Sequence, residues 1–549
     1  MSSLLPLVRQ EWLFNAVLLS SVAGCCLLST SNMLQLLTIA AALCSVVSAS
    51  SRDASHVVHT STGKFTGHEN PAFPGVKEFR SIPYAQPPVG QLRFQPPRRL
   101  DNSTEHHSSQ DFPPSCPQFV VSRPSFYNQA VPYLLIDNGH QNHSSGLPAE
   151  NASEDCLYLS MWTPKDVCAD SNLPVAFFMT GGHFTTGGVN IPGQFPAAWV
   201  DRSREHIVVT INYRVNIFGF PNAAASASPN VGMLDQRMAL EWVSENIAAF
   251  GGDPSRILLW GQSAGAISVD YHNFAFWDNP ISHASFSQSG TAIKALEAED
   301  RKHKNFTFVA DHLGCNFPED KDAELRCMQG VPTDDILNFV NHYNGSDKLI
   351  FLPVADEKLI FSNYTDRALN GYLSPNPAMF TDVANNNATL VSWPSANPAA
   401  GPNETAVIQG TLADWVCPTA GTSILRTKAG LLTYRAQYAG NFSNQTPYPW
   451  MGAYHCADLA MFFGTYDYNA LHSNSTPTAL ERATSEAMQD YLLVFMRDPF
   501  TGLQKSGWAP YANGSTILRF GADGMAVQNV SSAEIDGPCY GKGQYDPYP

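Results

Sequence analysis

Positive charge is scarce in this chain, which carries 32 Lys and Arg residues against 48 Asp and Glu residues and a net charge of −16. Such a protein lacks the basic footprint that nucleic-acid binding needs, so we expect no nucleic-acid partner. No stretch combines basic residues with an amphipathic period, as binding to anionic membranes would require. Charged residues make up only 15% of the 549 residues and hydrophobic residues 44%, which is typical of a globular protein with a large core.

Motifs for metals and phosphate-bearing cofactors are also missing. The cysteines form no CxxC pair and no Cys/His cluster with zinc spacing. The glycine-rich run FFMTGGHFTTGG at 177–188 has no Lys-Ser/Thr after it and does not fit GxGxxG, which argues against a phosphate cradle. We therefore expect no metal and no cofactor.

Residues 1–49 are predicted to be a leader rather than part of the fold. Apolar stretches occupy 12–29 and 33–48, and neither has the charge or period of a folded element. The second stretch has the length of the apolar region of a secretory signal. We expect the mature chain to be secreted or to enter the secretory pathway.

Small residues indicate where the leader ends. Residues 47–49, Val-Ser-Ala, form an acceptable cleavage site, and Met33 is an alternative start that would make 33–49 the signal peptide. The alternative, that 12–29 anchors the chain in a membrane, is less favoured because this stretch contains Ser and Asn. No other candidate span follows residue 50, so no stable membrane span is expected in the mature chain.

Asn-x-Ser/Thr triplets are dense beyond the leader, which supports secretion and predicts glycosylation. One triplet, at Asn387, is not expected to carry a glycan, because its loop should be buried. The other triplets begin at Asn102, Asn142, Asn151, Asn305, Asn344, Asn363, Asn403, Asn441, Asn444, Asn474, Asn513 and Asn529.

Eight of the 11 cysteines lie beyond the leader, and an even number suits disulfides in an oxidising compartment. The residues alone do not decide how they pair. These cysteines are Cys116, Cys156, Cys168, Cys315, Cys327, Cys417, Cys456 and Cys539.

Residues 50–549 are expected to form a single α/β domain. The continuous apolar runs at 173–180, 206–213 and 256–261 are typical of parallel strands that are covered on both faces. Apolar residues at helical spacing predict an amphipathic helix over 233–250. Further helical stretches are predicted around 320–342 and 478–497, with no linker that would separate a second domain.

The run RILLWGQSAGAISVD places Gly261-Gln262-Ser263-Ala264-Gly265 between an apolar strand and the start of a small-residue helix. In this context GxSxG predicts a nucleophilic serine, because a sharp turn exposes the Ser263 oxygen and only glycine avoids collisions on both sides. The alternative is an ordinary strand-to-helix turn. Backbone N–H groups at Gly181, Gly182 and His183 could form an oxyanion hole with that of Ala264, unless that loop is only a turn.

Several longer segments then resemble one family. The chain is similar to the type-B carboxylesterase/lipase group of α/β-hydrolases, which includes cholinesterases and fungal lipases, and it looks most like the fungal branch. The resemblance covers most of the chain beyond residue 55, in FRSIPYAQPPVGQLRFQPP, SEDCLYLSMWTP, INYRVNIFGF, the segment around Ser263, SFSQSG, GAYHCADLAMFFGTY and FMRDPFTG.

The resemblance implies an α/β-hydrolase fold and the roles of several residues. Ser263 would be the nucleophile and His455 in GAYHCADL the general base, while Gly182, His183 and Ala264 would supply oxyanion amides. Without the family motif, His455 is one of 16 histidines, and a hydrogen-bonded core histidine would be the simpler interpretation.

The resemblance also implies two disulfides, Cys116 with Cys156 and Cys315 with Cys327. The first closes a loop containing FVVSRPSFYNQAVPYLLI, which would be a lid or pocket wall for a greasy substrate or else an ordinary covering loop. Two pairs, Arg93 with Glu154 and Arg237 with Asp253, match positions that look structural in this family.

The chain departs from its apparent relatives at two positions near the nucleophile. Gln262 stands where cholinesterases have a Glu, and the choline-site aromatics cannot be matched, so a cholinesterase is not expected. His183 stands where the family's oxyanion loop usually has a third Gly. Its amide remains available, while its side chain would shape the pocket or meet an acidic substrate group.

The largest departure concerns the acid of the triad. Fungal members read much like NEGASLV where this chain has NNNATLV, so the acid position falls on Asn386. Other carboxylates that could replace it are Asp382, Glu357 with its neighbour Asp356, and Glu297. We favour Asn386. An amide can hold the histidine tautomer but cannot stabilise an imidazolium as a carboxylate does.

Three functions follow in order of preference. The first is a secreted serine hydrolase of carboxylic esters, acting on a small-molecule ester or lipid-like substrate through an acyl-enzyme on Ser263, with weak or altered activity. The second is a repurposed enzyme of small-molecule biosynthesis that performs cyclisation, isomerisation or transacylation. The third, a non-catalytic binding protein, is disfavoured because Ser263 and His455 are both present.

Overall fold

The apolar runs form the middle strands of one large sheet. The structure is a computed structural model that describes residues 57–119, 126–129, 131, 134, 152–294, 296–345, 349–391, 397–470, 475–512 and 514–549. The predicted leader lies outside these residues. Across the part described, no helix is both long enough and apolar enough to cross a membrane.

The strands are β1 Val57–Thr60, β2 Gly63–Thr66, β3 His68–Glu69, β4 Val76–Pro83, β5 His106–Ser108, β6 Tyr158–Pro164, β7 Leu173–Met179, β8 Ile207–Ile211, β9 Gly252–Gln262, β10 Ala284–Gln288, β11 Ala378–Val383, β12 Thr433–Tyr438, β13 Thr516–Ala522 and β14 Met525–Ser531. Eleven of them form a sheet in the order β14-β13-β12-β11-β10-β9-β7-β8-β6-β4-β3, and β1, β2 and β5 form a small second sheet. From β13 to β8 in that order the neighbours are parallel, whereas β14, β6, β4 and β3 pair antiparallel. This confirms the predicted α/β architecture with a mostly parallel central sheet.

The helices connect and cover these strands. They are α1 Phe126–Gln129, α2 Ala197–Ser203, α3 Asn216–Gly219, α4 Val231–Asn246, α5 Ala264–Ala275, α6 Lys304–His312, α7 Lys321–Gly330, α8 Thr333–His342, α9 Tyr364–Leu369, α10 Glu404–Thr411, α11 Cys417–Lys428, α12 Ala457–Phe463, α13 Tyr466–Ala470, α14 Ala479–Arg497, α15 Gly502–Lys505 and α16 Ser532–Ile535. A single π-helical turn, Leu412–Val416, joins α10 to α11.

Both faces of the sheet are buried, which explains why its central strands read as continuous apolar runs. In β7, Val175 and Phe177 enter one hydrophobic core, while Ala176 and Phe178 enter a second core. Successive side chains of a strand point to opposite faces, so a strand covered on both faces has no polar alternation.

The predicted helices differ from the observed ones mainly at their ends. The helix expected over 233–250 is α4, which passes into a 3-10 turn at Ile247–Phe250. The stretch expected around 320–342 is two helices, α7 and α8, because Pro332 between them cannot continue a helix.

Three disulfides join described cysteines. Cys116 bonds Cys156 and Cys315 bonds Cys327, as the resemblance implied, and Cys417 bonds Cys539. Cys168 is an exposed free thiol and Cys456 a buried one.

One of the two expected ion pairs is wrong. Arg93 does bind Glu154, through Nε to Oε2 at 2.7 Å. Arg237 instead pairs with Glu241 one helical turn away, at 2.9 Å, and Asp253 pairs with Arg256, at 2.7 Å. The local partners are closer along the chain and need no long-range approach. A fully buried pair that the sequence analysis did not identify, Arg214 with Asp235 at 2.6 Å, lies between β8 and α4.

The glycosylation triplets fall into several environments. Asn444 is only 3% exposed and its Nδ2 atom donates to the carbonyl of Tyr466, so the predicted glycan at that nitrogen is incompatible with the fold. Asn305 is half-buried. Asn142, Asn151, Asn474 and Asn513 lie outside the described residues, whereas exposed side chains are found at Asn102, Asn344, Asn363, Asn403, Asn441 and Asn529.

The Cys417–Cys539 bond offers a test of the fold. It closes 122 residues, and in the chain-entropy description a loop of this size stabilises the fold by about 5 kcal/mol. We expect the paired variant Cys417→Ala, Cys539→Ala to melt several degrees lower in a thermal scan, while Cys168→Ala, which removes only a free thiol, melts like the parent. Equal melting temperatures for the parent and the paired variant would contradict a stabilising role of this bond.

Candidate active site

Ser263 lies in the turn between β9 and α5. Its backbone has φ 57° and ψ −122°, and it precedes the first residue of the helix. The N–H of Ser263 donates to the carbonyl of Gln288 at the end of β10, at 2.8 Å, and its carbonyl accepts from Ile267, at 2.9 Å. These two bonds hold the serine in a left-handed conformation that non-glycine residues seldom adopt.

The glycines on either side are required by close approaches. A Cβ at Gly261 would lie 2.3 Å from the carbonyl oxygen of Gly265, and a Cβ at Gly265 would lie 2.0 Å from that of Met179. No side chain fits at either distance, so helix α5 can begin directly on top of β7 and β9 only with glycine here. This is the physical basis of the GxSxG pattern.

The glycine-rich loop after β7 packs against this turn. A Cβ at Gly181 would lie 3.0 Å from the Cβ of Ser263. Gly182 has φ 113°, and His183 has φ 58°, a conformation that glycine would adopt without strain. Among the described residues, no acceptor takes the backbone N–H of Gly182, His183 or Ala264, so these three donors remain available beside Ser263.

His455 connects Ser263 to the loop after β11. Its Nε2 atom lies 2.9 Å from Ser263 Oγ, and its Nδ1 atom lies 2.6 Å from Asn386 Oδ1. The imidazole is 4% exposed and Asn386 is fully buried. The structure thus brings together the three positions that the sequence analysis assigned to nucleophile, base and acid.

Ser289 fixes the orientation of the Asn386 amide. Asn386 Nδ2 donates to Ser289 Oγ at 3.0 Å, which leaves Oδ1 to face His455. The oxygen accepts the Nδ1 proton, so the lone pair of the imidazole is on Nε2 and points at the Ser263 hydroxyl. Ser289 belongs to the SFSQSG segment, but its spacing gave no sign of this contact.

The alternative carboxylates bind elsewhere. Asp382 forms a fully buried ion pair with Arg435. Glu357 accepts from the backbone of Ser362, and Asp356 from Leu359. Glu297 accepts from the hydroxyl of Tyr271. Within the described part of the chain, none of these carboxylates hydrogen-bonds to His455.

The other side of His455 faces an aromatic ring and a lysine. The Trp415 ring, in the π-helical turn, lies 4.3 Å from the imidazole, centroid to centroid. The Nζ atom of Lys294 lies 3.6 Å from the centroid of Trp415. Burial, followed by the positive charge of Lys294, lowers the pKa of His455 to about 3. Nothing in the sequence pattern singled out Trp415 or Lys294.

Gln262 and Cys456 border the same imidazole. Gln262 Nε2 lies 3.3 Å from His455 Nε2 and donates to Cys456 Sγ at 3.1 Å. Burial raises the pKa of the Cys456 thiol, so the thiol is un-ionised. The position where cholinesterases carry a Glu thus holds a neutral amide in contact with the base.

The loop closed by Cys116 and Cys156 forms part of the site's wall where it is described. The Tyr127 hydroxyl donates to the carbonyl of His455 at 3.0 Å and lies 2.6 Å from Thr389 Oγ1. The Phe126 ring packs edge-on against Tyr454 at 5.4 Å. This favours the pocket-wall interpretation of the segment over an ordinary covering loop.

The arrangement can perform acyl transfer. It holds a hydroxyl, an imidazole acceptor and three unused N–H donors together, which are the groups that attack a carbonyl and stabilise the resulting oxyanion. No group of three or more His, Cys, Asp or Glu side chains that could hold a metal ion occurs in the described ranges.

Comparison with known proteins identifies the family. Residues 54–406 match the model of the carboxylesterase family, which is more than half of the chain. The chain belongs to the carboxylesterase family. It is 38% identical to the chlorogenic acid esterase of Aspergillus niger, over 88% of this chain and 94% of that protein. It is 36% identical to secreted lipase 5 of Gibberella zeae, over 89% and 95% of the two chains, and 33% identical to mouse cholinesterase over 57% and 51%.

Membership of the carboxylesterase family confirms the expected α/β-hydrolase fold and the expected class of enzyme, a carboxylic ester hydrolase. The two fungal relatives extend along nearly the whole chain, in agreement with the resemblance to the fungal branch. Mouse cholinesterase matches only about half of each chain.

The buried environment of His455 predicts an unusually low pKa for its imidazole. We expect its imidazole to gain a proton with a midpoint near pH 3, rather than near the ordinary 6.5, because burial and Lys294 both disfavour the charged form. The base is then neutral above that pH, and activity that depends on it should persist into acid. NMR of ¹⁵N-histidine-labelled protein measures the midpoint, with His455→Gln for assignment. A midpoint at 6 or above would contradict the described environment.

Proposed function

We propose that the chain is a secreted enzyme that hydrolyses carboxylic esters through an acyl-enzyme on Ser263, with His455 as general base and Asn386 in the place of the acid. One observation carries the proposal, the series Ser263 Oγ to His455 Nε2 at 2.9 Å and His455 Nδ1 to Asn386 Oδ1 at 2.6 Å.

In the first half-reaction His455 Nε2 takes the proton of Ser263 as Oγ attacks the ester carbonyl. The N–H groups of Gly182, His183 and Ala264 donate to the oxyanion of the tetrahedral intermediate. His455 then gives the proton to the leaving alcohol as the carbon–oxygen bond breaks. In the second half-reaction His455 removes a proton from water, which attacks the acyl group, and Ser263 Oγ leaves with that proton.

Asn386 affects this cycle in two opposite ways. Its Oδ1, oriented by Ser289, holds the tautomer that a general base needs. Its lack of charge leaves the imidazolium less stable than beside a carboxylate. In a serine protease, an Asp-to-Asn change at this position lowers kcat by about 10⁴, largely through the wrong tautomer. Because the tautomer is held here, we expect a smaller loss and slow but measurable turnover.

The substrate is an ester with an apolar or aromatic part. The relatives' names refer to chlorogenic acid and to lipids, and Trp415 and Tyr127 line the surroundings of His455. Transacylation, in which an alcohol replaces water as the nucleophile of the second half-reaction, is the alternative, because Asn386 departs from the triad of a hydrolase. Product analysis with and without an added alcohol separates the two.

Secretion is supported by several independent features. These are the predicted signal peptide in residues 1–49, three disulfides, the exposed glycosylation triplets and the secreted lipase among the relatives. Disulfides persist mainly in oxidising compartments.

Covalent labelling tests the nucleophile. A fluorophosphonate probe should label the parent protein and leave Ser263→Ala unlabelled, because only an activated serine reacts. The exposed Ser362→Ala is the matched control and should label normally. A parent protein that resists labelling under conditions that label another carboxylesterase would exclude the acyl-enzyme mechanism.

Replacement of Asn386 tests the acid position. Asn386→Asp keeps the size of the side chain and adds the missing charge beside His455 Nδ1. We expect kcat for 4-nitrophenyl butyrate to rise by about tenfold to a hundredfold, which corresponds to roughly 1.4–2.7 kcal/mol of transition-state stabilisation. The control Asn370→Asp adds the same charge on the surface and should have no effect. Unchanged kcat in a folded Asn386→Asp protein would contradict the role of this position.

A further inference from the structure

We propose that Lys294 binds a carboxylate of the substrate, so that the preferred substrates are esters that carry a second, ionised carboxyl group. The proposal rests on the proposed function, because it concerns the same site. It assigns the missing negative charge of the triad to the substrate rather than to the protein.

Lys294 is built into the wall of the site. It ends the 3-10 turn Ala292–Lys294 after β10, in the segment that passes behind the nucleophile, where a Cβ at Gly290 would lie 2.5 Å from the Ser263 carbonyl oxygen. Its side chain is only 14% exposed. A lysine so enclosed loses hydration, which must be replaced by other contacts.

The Trp415 ring contacts both Lys294 and the base His455. The ammonium lies 3.6 Å from the Trp415 centroid, and that ring lies 4.3 Å from the imidazole of His455. Trp415 is itself held by a bond from Nε1 to Asn387 Oδ1, at 3.0 Å. Nζ therefore lies within about 8 Å of the imidazole centre, a range over which charges still interact through protein.

The described residues use only part of the hydrogen-bonding capacity of Lys294. Nζ donates to the backbone carbonyl of Asp414 at 3.2 Å, while the nearest Asp414 carboxylate oxygen is 3.8 Å away on a side chain that is 53% exposed. An ammonium carries three donors, so hydrogen-bonding capacity remains for an anion. Burial lowers the pKa of Lys294, and Asp414 opposes this effect.

The positive charge also reaches the oxyanion loop. Burial and then the charge of Lys294 lower the pKa of His183, so His183 is a neutral imidazole that can donate one hydrogen bond. Lys294 thus acts electrostatically on both His455, the general base, and His183, a residue of the oxyanion loop. In the proposed complex the ester carbonyl lies at Ser263 and the second carboxylate of the substrate lies at Lys294.

A bound carboxylate would change the energetics of the proton transfer. In the absence of substrate, both neighbours of His455 disfavour its protonated form. Asn386 does so because it lacks a negative charge, and Lys294 does so because it carries a charge of the same sign. A substrate carboxylate on Lys294 cancels the like charge while the imidazolium forms. The gain appears in kcat as well as in KM, because it is larger in the transition state than in the ground state.

Two matched pairs of esters test the proposal on either side of the scissile bond. The acyl-side pair is 4-nitrophenyl hydrogen glutarate and 4-nitrophenyl pentanoate, and the alcohol-side pair is 4-acetoxybenzoate and its methyl ester. Each pair is compared in the parent, in Lys294→Met and in Lys294→Arg, with the exposed Lys302→Met as the matched control. Ratios between variants cancel the electronic differences within a pair.

In at least one pair we expect Lys294→Met to lower kcat/KM for the anionic ester by about tenfold relative to the neutral ester, or roughly 1.4 kcal/mol. Any change on the neutral ester should be an increase, because the variant removes a like charge near His455. Lys294→Arg should keep the preference, and Lys302→Met should behave as the parent. Asn386→Asp should reduce the ratio of kcat/KM between the anionic and the neutral ester, because the triad then has its own negative charge.

Equal losses on the neutral and anionic members of both pairs would overturn the proposal and make Lys294 a support for Trp415. If Lys294→Met does not fold, the parent and Lys294→Arg still test the proposed carboxylate site. A parent protein that prefers neither anionic ester over its neutral partner also overturns the proposal. A parent that hydrolyses none of the four esters and resists the fluorophosphonate probe refutes the proposed function itself. Hydrolysis of neutral esters alone refutes only the carboxylate site.

Discussion

The close approach of helix α5 to the central strands is the constraint on which the site depends. Gly261 and Gly265 bring backbone against backbone at the carboxyl end of β9, and a single Cβ at either position would prevent it. Ser263 is thereby held with φ 57° at the edge of the sheet. The loops that follow β7, β10 and β11 begin at the same carboxyl-terminal edge of the sheet, because parallel strands run in one direction. Oxyanion donors, Lys294 and Asn386 all come from these loops.

Charge around His455 is arranged differently from a triad with an acid. Its Nδ1 partner is an amide, Gln262 next to its Nε2 is also an amide, and the nearby charged group, Lys294, is positive. All three features favour the neutral imidazole. The surroundings that keep His455 unprotonated at low pH also disfavour its protonation during catalysis. The source of a compensating negative charge is therefore the main question about the chemistry.

Local patterns predicted the fold well where one physical effect dominates. The apolar runs became β7, β8 and β9 because both faces of the sheet are covered, and the glycines around Ser263 marked the turn because no other residue fits. Prediction failed where partners are distant in sequence. Arg237 and Asp253 each found a nearer partner than expected, and the pairing of Cys417 with Cys539 could not be deduced across 122 residues. The glycosylation triplet at Asn444 does not indicate from its sequence that the side chain is buried.

The sequence by itself determined the α/β class, the turn that carries Ser263 and the absence of a carboxylate at position 386, because each is a property of a short segment. Only the tertiary structure decided that no carboxylate of the described residues takes the place of Asn386. It also decided that Asn386 faces His455 with Ser289 behind it, and that Trp415 and Lys294 border the base. These residues lie up to about 170 positions apart in the chain. Only the alignment of parallel strands brings them to one edge of the sheet.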